Sequence, residues 1–526
     1  MDVNSKIRAI IIVTLATFVA FYLGITAATA QFEAIAWIVG VSGFIICLLL
    51  GRRIWLLIPF LGSLQLTLMI PGRPTSMLLA QCIVVVFCGL LFLLRKLPFR
   101  LHFTELEFWM ALLVGCLIQV YLRNPVGINL LGGDVVGGRP YIIFSITFVA
   151  TLILCGLRVP AAELRTAMIL SILGGVLNFC IGLIGWFVPS LDYWFSGFYE
   201  SQRDRNESID EARATRVEMT RGIAHTLALT TASHVNPLRA CFSLRWAPLV
   251  ALSLAFAAVS GYRNVIASVG LSYLVGLLYR GNLLSVMATG VLAALGMMFL
   301  SIGNLIHPYP PNVQRSLSFL PGSWDARYTQ DAQNSTDWRV EIWKEVLLTD
   351  RWIQNKWLGD GLGFSARELA MQRSMLENRG RGRLGVSGFD THREAILSNG
   401  DYHSGPVSAI RTIGYIGLLV MALAQIRLVV HAHRQVMRCK GTEWFSVALF
   451  FCIPIIWSPV FFWFVFGGFL MDGPAILLGA GMLRLLENNL PLPVYATARR
   501  MPFALATRPS HTAIPAAGEG GSPVFR

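Results

Sequence analysis

The sequence predicts an all-α polytopic integral membrane protein with roughly 12–14 transmembrane helices and one large external loop that contains short helices. Hydrophobic residues make up 55% of the 526 positions, charged residues make up 14%, and the mean hydropathy is +0.60. Soluble domains usually carry about 25% charged residues. Apolar runs long enough to cross a hydrocarbon core of ~30 Å recur along the chain.

The predicted spans follow one another with few interruptions before residue 301. They lie at 9–29, 32–50, 54–71, 76–94, 107–122, 138–157, 166–188, 246–261, 264–279, 282–300, 405–428, 444–463 and 468–486. A weaker run at 222–238, which contains His225 and His234, is also counted, because it preserves the alternation described next. No small-residue cleavage site follows the first run, so we do not interpret it as a cleaved signal peptide.

Basic residues fix the predicted orientation, because cytoplasmic loops carry an excess of Lys and Arg. Lys6 and Arg8 place the start of the chain in the cytoplasm, and later basic clusters follow alternate spans at 52–53, 95–100, 158–165 and 431–440. The predicted domains are an N-terminal bundle (1–300), an external catalytic loop (301–402), C-terminal helices (403–487) and a disordered cytoplasmic tail (488–526).

The distribution of charge argues against a nucleic-acid partner. The formal net charge is +14, but the 301–402 loop holds 12 Lys/Arg and 12 Asp/Glu, so the excess lies mostly in short cytoplasmic turns. In these turns the excess positive charge determines membrane topology and lies beside anionic lipid headgroups. No Walker motif, H-E-x-x-H pair or D-x-D pair occurs. We therefore expect neither a metal site nor a cofactor, and any phosphate must be held by cationic side chains.

Candidate site residues lie where the external loop meets the membrane. Arg263 directly precedes the 264–279 span on the external side. An arginine at this position commonly has no functional role and simply extends its charged end to the membrane surface. His403 and Asp401 lie directly before the 405–428 span. A neutral histidine at such a position can accept a proton, and Asp401 is either its orienting partner or an ordinary loop carboxylate.

Arg339 lies in a segment that predicts an amphipathic helix resting on the membrane or on the helix bundle. Thr336 or Asp337 is the expected N-cap, and Ile342, Trp343 and Val346 form an apolar stripe at helical spacing. A solvated arginine is the common case on such a helix. Further on, the alternate glycines of 357–364 predict a tight turn and close approach of another chain or ligand. They are not a dinucleotide fingerprint, which requires a βαβ unit.

Taken in order, these motifs resemble the O-antigen ligase and O-antigen (exopolysaccharide) polymerase superfamily. The resemblance covers roughly 260–428 and consists of S-G-x-R at a span start, R-x-x-x-W, L-G-x-G-L-G-F, a histidine before the next span, and I-G-Y-I-G-L-L within it. It departs from the family in reading His403-Ser404 rather than His-Asn, and Gly261-Tyr262-Arg263 rather than Ser-x-Ser-Arg.

The resemblance implies a glycan polymerase of the bacterial inner membrane. It would transfer undecaprenyl-diphosphate-linked oligosaccharide units onto a sugar hydroxyl at the periplasmic face, with His403 as base and with Arg263 and Arg339 binding the diphosphate. Direct displacement would invert the anomeric carbon without a metal. The implied partners are the donor, a glycan or lipid-linked acceptor, the bilayer, and a chain-length regulator or other polysaccharide-assembly proteins.

Three alternatives stay open at this point. An O-antigen ligase would move finished glycan onto lipid A core with the same base and the same arginines. A lipid-linked glycan flippase or another transporter would place charged or broken-helix sites at the middle of the membrane, where these spans have few ionisable residues. A non-catalytic scaffold would use the external loop to bind a partner.

Overall fold

The structure, a computed structural model, describes residues 32–68, 73–126, 138–188, 190, 216–362, 397, 400 and 402–491. Within these residues the regular secondary structure is helical, and extended pairing is limited to isolated bridges between Thr67 and Thr75 and between Phe99 and Leu157. The fold is all-α, as the composition predicts. The expected first span at 9–29 and nearly all of the tail at 488–526 lie outside the described residues.

We number the helices of this part of the chain in order. They are α1 (Phe32–Leu50), α2 (Leu57–Leu64), α3 (Ser76–Leu93), α4 (Glu105–Arg123), α5 (Arg139–Gly156), α6 (Ala161–Phe187), α7 (Glu218–His234), α8 (Pro237–Cys241), α9 (Ala247–Val259), α10 (Arg263–Arg280), α11 (Leu283–Ile306), α12 (Pro311–Leu317), α13 (Ala326–Leu348), α14 (Gly405–Cys439), α15 (Phe445–Phe464) and α16 (Phe469–Asn489). A 3-10 helix, Gly51–Leu56, joins α1 to α2.

Nine helical stretches of the described chain are long and apolar enough to cross a membrane, which makes this a multi-pass membrane protein. They are Gly40–Leu64, Ser76–Leu93, Glu105–Arg123, Arg139–Gly156, Ala161–Phe187, Leu283–Ile306, Gly405–Cys439, Phe445–Phe464 and Phe469–Asn489. The spans predicted at 222–238, 246–261 and 264–279 form α7, α9 and α10, which fall below that length or hydropathy. Because α7 packs against α6, α9, α10 and α15, it faces protein and tolerates polar residues.

Ion pairs gather the predicted cytoplasmic clusters at one end of the bundle. Arg53 Nε donates to Glu163 Oε1 at 3.0 Å, which joins the residues before α2 to the start of α6. Arg165 Nη2 donates to Glu443 Oε2 at 3.1 Å, which joins α6 to the turn between α14 and α15. We call this the basic end. The opposite end, where α4 ends and where α5, α10 and α14 begin, is the site end.

Small residues allow α16 to pack closely against α5. A side chain on Gly473 would lie 2.5 Å from the Phe144 ring, and one on Gly481 would lie 3.3 Å from Leu154. The rings of Phe144 and Phe469 stack at a centroid distance of 5.3 Å. Helices in lipid associate largely through such close van der Waals contact. α16 therefore links the C-terminal helices to the N-terminal bundle.

The segment predicted as the external loop is more helical than expected. α11 continues through the predicted domain boundary at 300/301 to Ile306, and α12 follows five residues later. α13 begins at Ala326, and the side chain of Asp325 accepts a hydrogen bond from Arg327 N at 2.9 Å. The predicted N-cap at Thr336 or Asp337 is therefore wrong, because the helix extends about ten residues further upstream through polar sequence.

Candidate active site

His403 lies two residues before α14, at the site end, with a left-handed backbone φ of 49°. That conformation is uncommon for residues with a side chain, although histidine is enriched there. Its ring contacts two aromatic rings, with centroid distances of 5.6 Å to Phe466 and 5.9 Å to Trp338. Strained backbone of this kind persists where its surroundings hold it in place, and it is concentrated at functional sites.

Helix α13 fixes the chain immediately before His403. The indole Nε1 of Trp343 donates to the carbonyl of Tyr402 at 2.9 Å. The Tyr402 side chain is 1% exposed, and burial raises the pKa of its phenol to about 12. The Tyr402 ring packs in the buried cluster that joins α13 to α14.

The apolar stripe of α13 explains why the helix rests here. Ile342 and Val346 are fully buried in one cluster with Val407 and Ile410, which lie in the first turns of α14. The predicted stripe is confirmed. The surface that it covers is the helix bundle, at the segment that follows His403.

Arg339 lies on the same face of α13, three and four residues before Ile342 and Trp343. In the described part of the chain its Nε is buried without a hydrogen-bond partner, and no carboxylate pairs with its guanidinium. Burial lowers the pKa of Arg339 from its usual value, although arginine stays charged near pH 7. Partial burial of a cation without a counter-charge is unfavourable. The Nε donor of Arg339 is therefore left without an acceptor in the described chain.

Arg263, the first residue of α10, is held by the segment that contains α12 and the start of α13. Its Nε donates to the carbonyl of Arg315 at 3.3 Å, and its Nη2 donates to Ser318 Oγ at 3.3 Å and to the carbonyl of Tyr328 at 3.4 Å. These three acceptors are neutral oxygens. They hold the guanidinium at the site end, half-buried between α10 and α13.

The structure brings two of the four predicted site residues to one place. Trp338 and Trp343 join the Arg339 turn of α13 to His403. Arg263 contacts α13 at Tyr328, and at 1.5 Å per residue about 16 Å of helix separate that turn from Arg339. Asp401 lies outside the described residues.

The glycine-rich turn predicted around residue 360 docks into a kink in α14. Gly359 and Gly361 have φ values of 81° and 99°, and Gly414, within α14, has a φ of 72°. A side chain on Gly359 would lie 2.6 Å from Gly414 N, and one on Gly414 would collide with the carbonyl of Trp357. The close approach expected of these glycines is thus to a helix of the same chain, and two of the resemblance motifs interlock.

Two aromatic residues beside His403 escape prediction from the sequence. Trp338 directly precedes Arg339. Its position next to a candidate site residue is the one sequence feature that could have indicated its place in the site. Phe466 follows the aromatic end of α15, where Trp and other rings commonly anchor a span at the membrane interface. Because an aromatic residue is common at this position, the sequence gives no sign that Phe466 contacts His403.

The chain matches no family model, and no curated protein is similar enough to it to count as a relative.

Proposed function

We propose that this protein is a membrane glycosyltransferase that polymerises glycans, transferring undecaprenyl-diphosphate-linked oligosaccharide units onto a sugar hydroxyl. The observation that carries the proposal is the placement of His403 beside the turn of α13 that bears Arg339, a partly buried cation without a carboxylate partner in the described chain. A base next to an anion-seeking cation suits transfer of a sugar from a diphosphate leaving group. The order of motifs from Arg263 to Gly417 supports the same function.

In the proposed reaction, a hydroxyl oxygen of the acceptor sugar attacks the anomeric carbon of the donor. His403 accepts the hydroxyl proton as the new carbon–oxygen bond forms. The bond from the anomeric carbon to the diphosphate oxygen breaks, and the diphosphate leaves with the electron pair. Arg339 stabilises this charge through two parallel N–H donors. Attack from the side opposite the leaving group inverts the anomeric configuration.

Arg263 is the second arginine of the proposed diphosphate site. Its hydrogen bonds to neutral oxygens measure 3.3–3.4 Å, longer than the usual 2.7–3.2 Å. A phosphate oxygen is a stronger acceptor and would replace them. The present contacts of Arg263 lie several turns of α13 away from Arg339. To bind one diphosphate together, the two side chains would have to extend towards each other along α13. We assign Asp401, two residues before His403, the orientation of the base.

The proposed site faces the periplasm of a bacterial inner membrane. Arg53, Arg165 and Arg438 lie at the basic end, which the positive-inside rule assigns to the cytoplasm. His403 and Arg263 lie at the other end. The lipid-linked donor then reaches the site from the bilayer, and the acceptor glycan reaches it from the aqueous side, where a chain-length regulator would also act.

An O-antigen ligase would use the same base and cations and differs in its acceptor, lipid A core. Supplying either a growing glycan or lipid A core to the same membranes separates the two activities. A flippase would not need a base. Transfer therefore differs from transport and from scaffolding in its dependence on the His403 imidazole.

The first test replaces the base. His403→Ala should lower glycan transfer roughly 10²–10⁴-fold, because that is the usual contribution of a general base. His307→Ala, an exposed histidine at the end of α11, is the matched control and should transfer normally. Transfer is measured as lipid-linked glycan lengthened per amount of protein in the membrane. Normal transfer by a stably inserted His403→Ala protein would refute the assignment.

A further inference from the structure

A cavity of about 260 Å³ lies inside the bundle, apart from the contacts of His403. It is enclosed by α2, α6, α7, α10 and α15. Its lining includes Gln65, Arg221, His225, Asn264 and Trp457. A cavity needs only roughly 10–15 Å³ to hold one water, so this cavity is far larger than a single water site.

Three residues that line the cavity each carry a buried polar atom without a hydrogen-bond partner in the described chain. These atoms are His225 Nδ1, Asn264 Oδ1 and Trp457 Nε1, and they come from three different helices, α7, α10 and α15. Buried polar groups in proteins are nearly always satisfied, because an unmade hydrogen bond costs the full desolvation of the group. The convergence of three such residues on one cavity indicates a ligand that completes them.

The lining chemistry defines the class of ligand. An indole N–H only donates, an amide oxygen only accepts, and an imidazole does either according to its tautomer. A sugar hydroxyl both donates and accepts, so one hydroxyl-rich ring can satisfy all three. Trp457 and Phe461 add aromatic surface, as in ligand sites with a few placed polar groups. No carboxylate occurs among the described lining residues, which disfavours a cationic ligand.

Two residues of the cavity lining are connected through the chain to residues of the proposed active site. Asn264 directly follows Arg263 in α10. Phe461 lines the cavity, and its carbonyl accepts a hydrogen bond from Phe466 N at 3.0 Å, while the Phe466 ring contacts His403. One aromatic turn at the end of α15 therefore separates the cavity from the proposed base.

We propose that this cavity is a sugar-binding subsite, which holds one hydroxyl-rich ring of the glycan substrate; as a statement about substrate, it rests on the proposed glycosyltransferase function. The ring belongs to the donor or to the acceptor, and both present the same hydroxyl groups. The three unpartnered atoms bind that ring, and Arg221 lies at the cavity wall, where Glu218 pairs with it at 3.4 Å.

The lack of partners gives the subsite a distinctive signature. Trp457→Phe and Asn264→Leu each remove an atom that makes no hydrogen bond within the described protein, so the empty protein loses no hydrogen bond and only the side-chain packing changes. Both changes should weaken sugar binding at least tenfold. The matched control is Trp463→Phe on the same helix, because the Trp463 indole donates to Gln425 Oε1 at 2.8 Å. That control should lower the Tm and leave sugar binding unchanged.

The experiment uses the full chain in lipid nanodiscs, with glucose, galactose, mannose and N-acetylglucosamine as probes. Saturation-transfer NMR reports binding, and thermal unfolding reports stability. The subsite is supported if at least one sugar binds and both cavity variants weaken its binding while lowering the Tm less than Trp463→Phe does. It is overturned if no sugar binds, if the variants bind as the wild type does, or if they lower the Tm as Trp463→Phe does, since the cavity would then hold structural water.

Failure of this proposal is distinguishable from failure of the proposed function. His403→Ala should abolish transfer and still bind the sugar. If the wild type binds sugar through the cavity but transfers none, the transferase function fails and the subsite stands. If it transfers glycan with a KM that Trp457→Phe leaves unchanged for donor and acceptor, the subsite fails and the function stands. A rise in KM for only one substrate identifies which of them supplies the ring.

Discussion

Arg339 and Arg263 differ in what surrounds their guanidinium groups. Arg339 is partly buried, with its Nε unpartnered in the described chain, whereas Arg263 donates to neutral oxygens of the α12–α13 segment. In both residues the guanidinium is a planar group whose N–H donors have fixed directions. A lysine keeps the charge but presents a single rotating ammonium. Charge-conserving substitution therefore separates diphosphate binding from an interfacial or topological role.

We expect Arg339→Lys and Arg263→Lys to lose nearly as much transfer as the corresponding alanine variants. The reason is the loss of the two-point contact to diphosphate. Arg327→Lys is the matched control, since its side chain is 80% exposed on the same helix as Arg339. Transfer and binding of the undecaprenyl-diphosphate glycan are measured together. Lysine variants that bind and turn over the donor normally would rule out the diphosphate clamp.

Single residues were predicted from the sequence better than their surroundings. His403 and Arg339 could be selected because a histidine at a span start and an arginine on an amphipathic helix are visible as local patterns. The contacts of His403 with Trp338 and Phe466 could not be predicted, because they join segments more than 60 residues apart. The proximity of Arg263 to the other two was expected from a shared face, and the structure places its contacts several turns away on α13.

At the scale of elements, glycines in two segments allow the turn at 357–362 to dock on α14. The turn at 357–362 enters the kink of α14 at Gly414, and Asp360 N and Gly361 N donate to carbonyls of α14 at 2.6 and 3.1 Å. The same turn accepts hydrogen bonds from Arg123 at the end of α4. Since α14 begins directly after His403, this docking fixes the helix that follows the proposed base.

Gly414→Ala should destabilise the protein and abolish transfer. The added methyl group meets the carbonyl of Trp357, and the backbone φ of 72° is unfavourable for alanine. Gly441→Ala is the matched control, because Gly441 has a φ of 84° and open space around it. The control should cost only the left-handed penalty of about 1–2 kcal/mol. Thermal unfolding in detergent gives the comparison; equal losses for both variants would show that the docking contact contributes little.

Several helix positions were predicted well from hydropathy, but the span predicted at 54–71 became only α2, Leu57–Leu64, within the single apolar stretch Gly40–Leu64. The runs at 76–94, 138–157 and 444–463 became α3, α5 and α15 with ends shifted by at most one residue. The start of α13 was missed, because its first turns are polar and no apolar period marks them. The helices α7, α9 and α10 were predicted as ordinary spans, although contact with other helices governs their composition more than lipid does.

The whole molecule separates two chemically different ends. The basic end carries ion pairs such as Arg53–Glu163 and the hydrogen bonds of Arg438 to residues at the end of α16. The site end carries His403, Arg263 and the docked glycine turn. The fold class followed from composition alone. The alternation of basic clusters predicts which side of the membrane each helix end faces. It does not predict which helices are neighbours, and only the packing in the structure shows that.

Sidedness is testable by labelling introduced cysteines with a membrane-impermeant maleimide in intact cells whose periplasm the reagent reaches. Leu348→Cys, at an 81% exposed position at the end of α13, should react. Glu443→Cys, whose native side chain is 67% exposed at the basic end, should react only after the inner membrane is permeabilised. The parent chain, with its nine cysteines, provides the background. The reverse pattern would place the proposed site in the cytoplasm.

The central claim is tested most directly by the release of undecaprenyl diphosphate. Purified protein in nanodiscs receives an undecaprenyl-diphosphate-linked oligosaccharide and EDTA, and both the released lipid diphosphate and the new glycosidic bonds are quantified. We predict that the wild type releases one lipid diphosphate for each bond formed, at a rate that His403→Ala lowers roughly 10²–10⁴-fold. A wild-type protein that binds the donor but releases no lipid diphosphate, or releases it no faster than His403→Ala does, would contradict the claim.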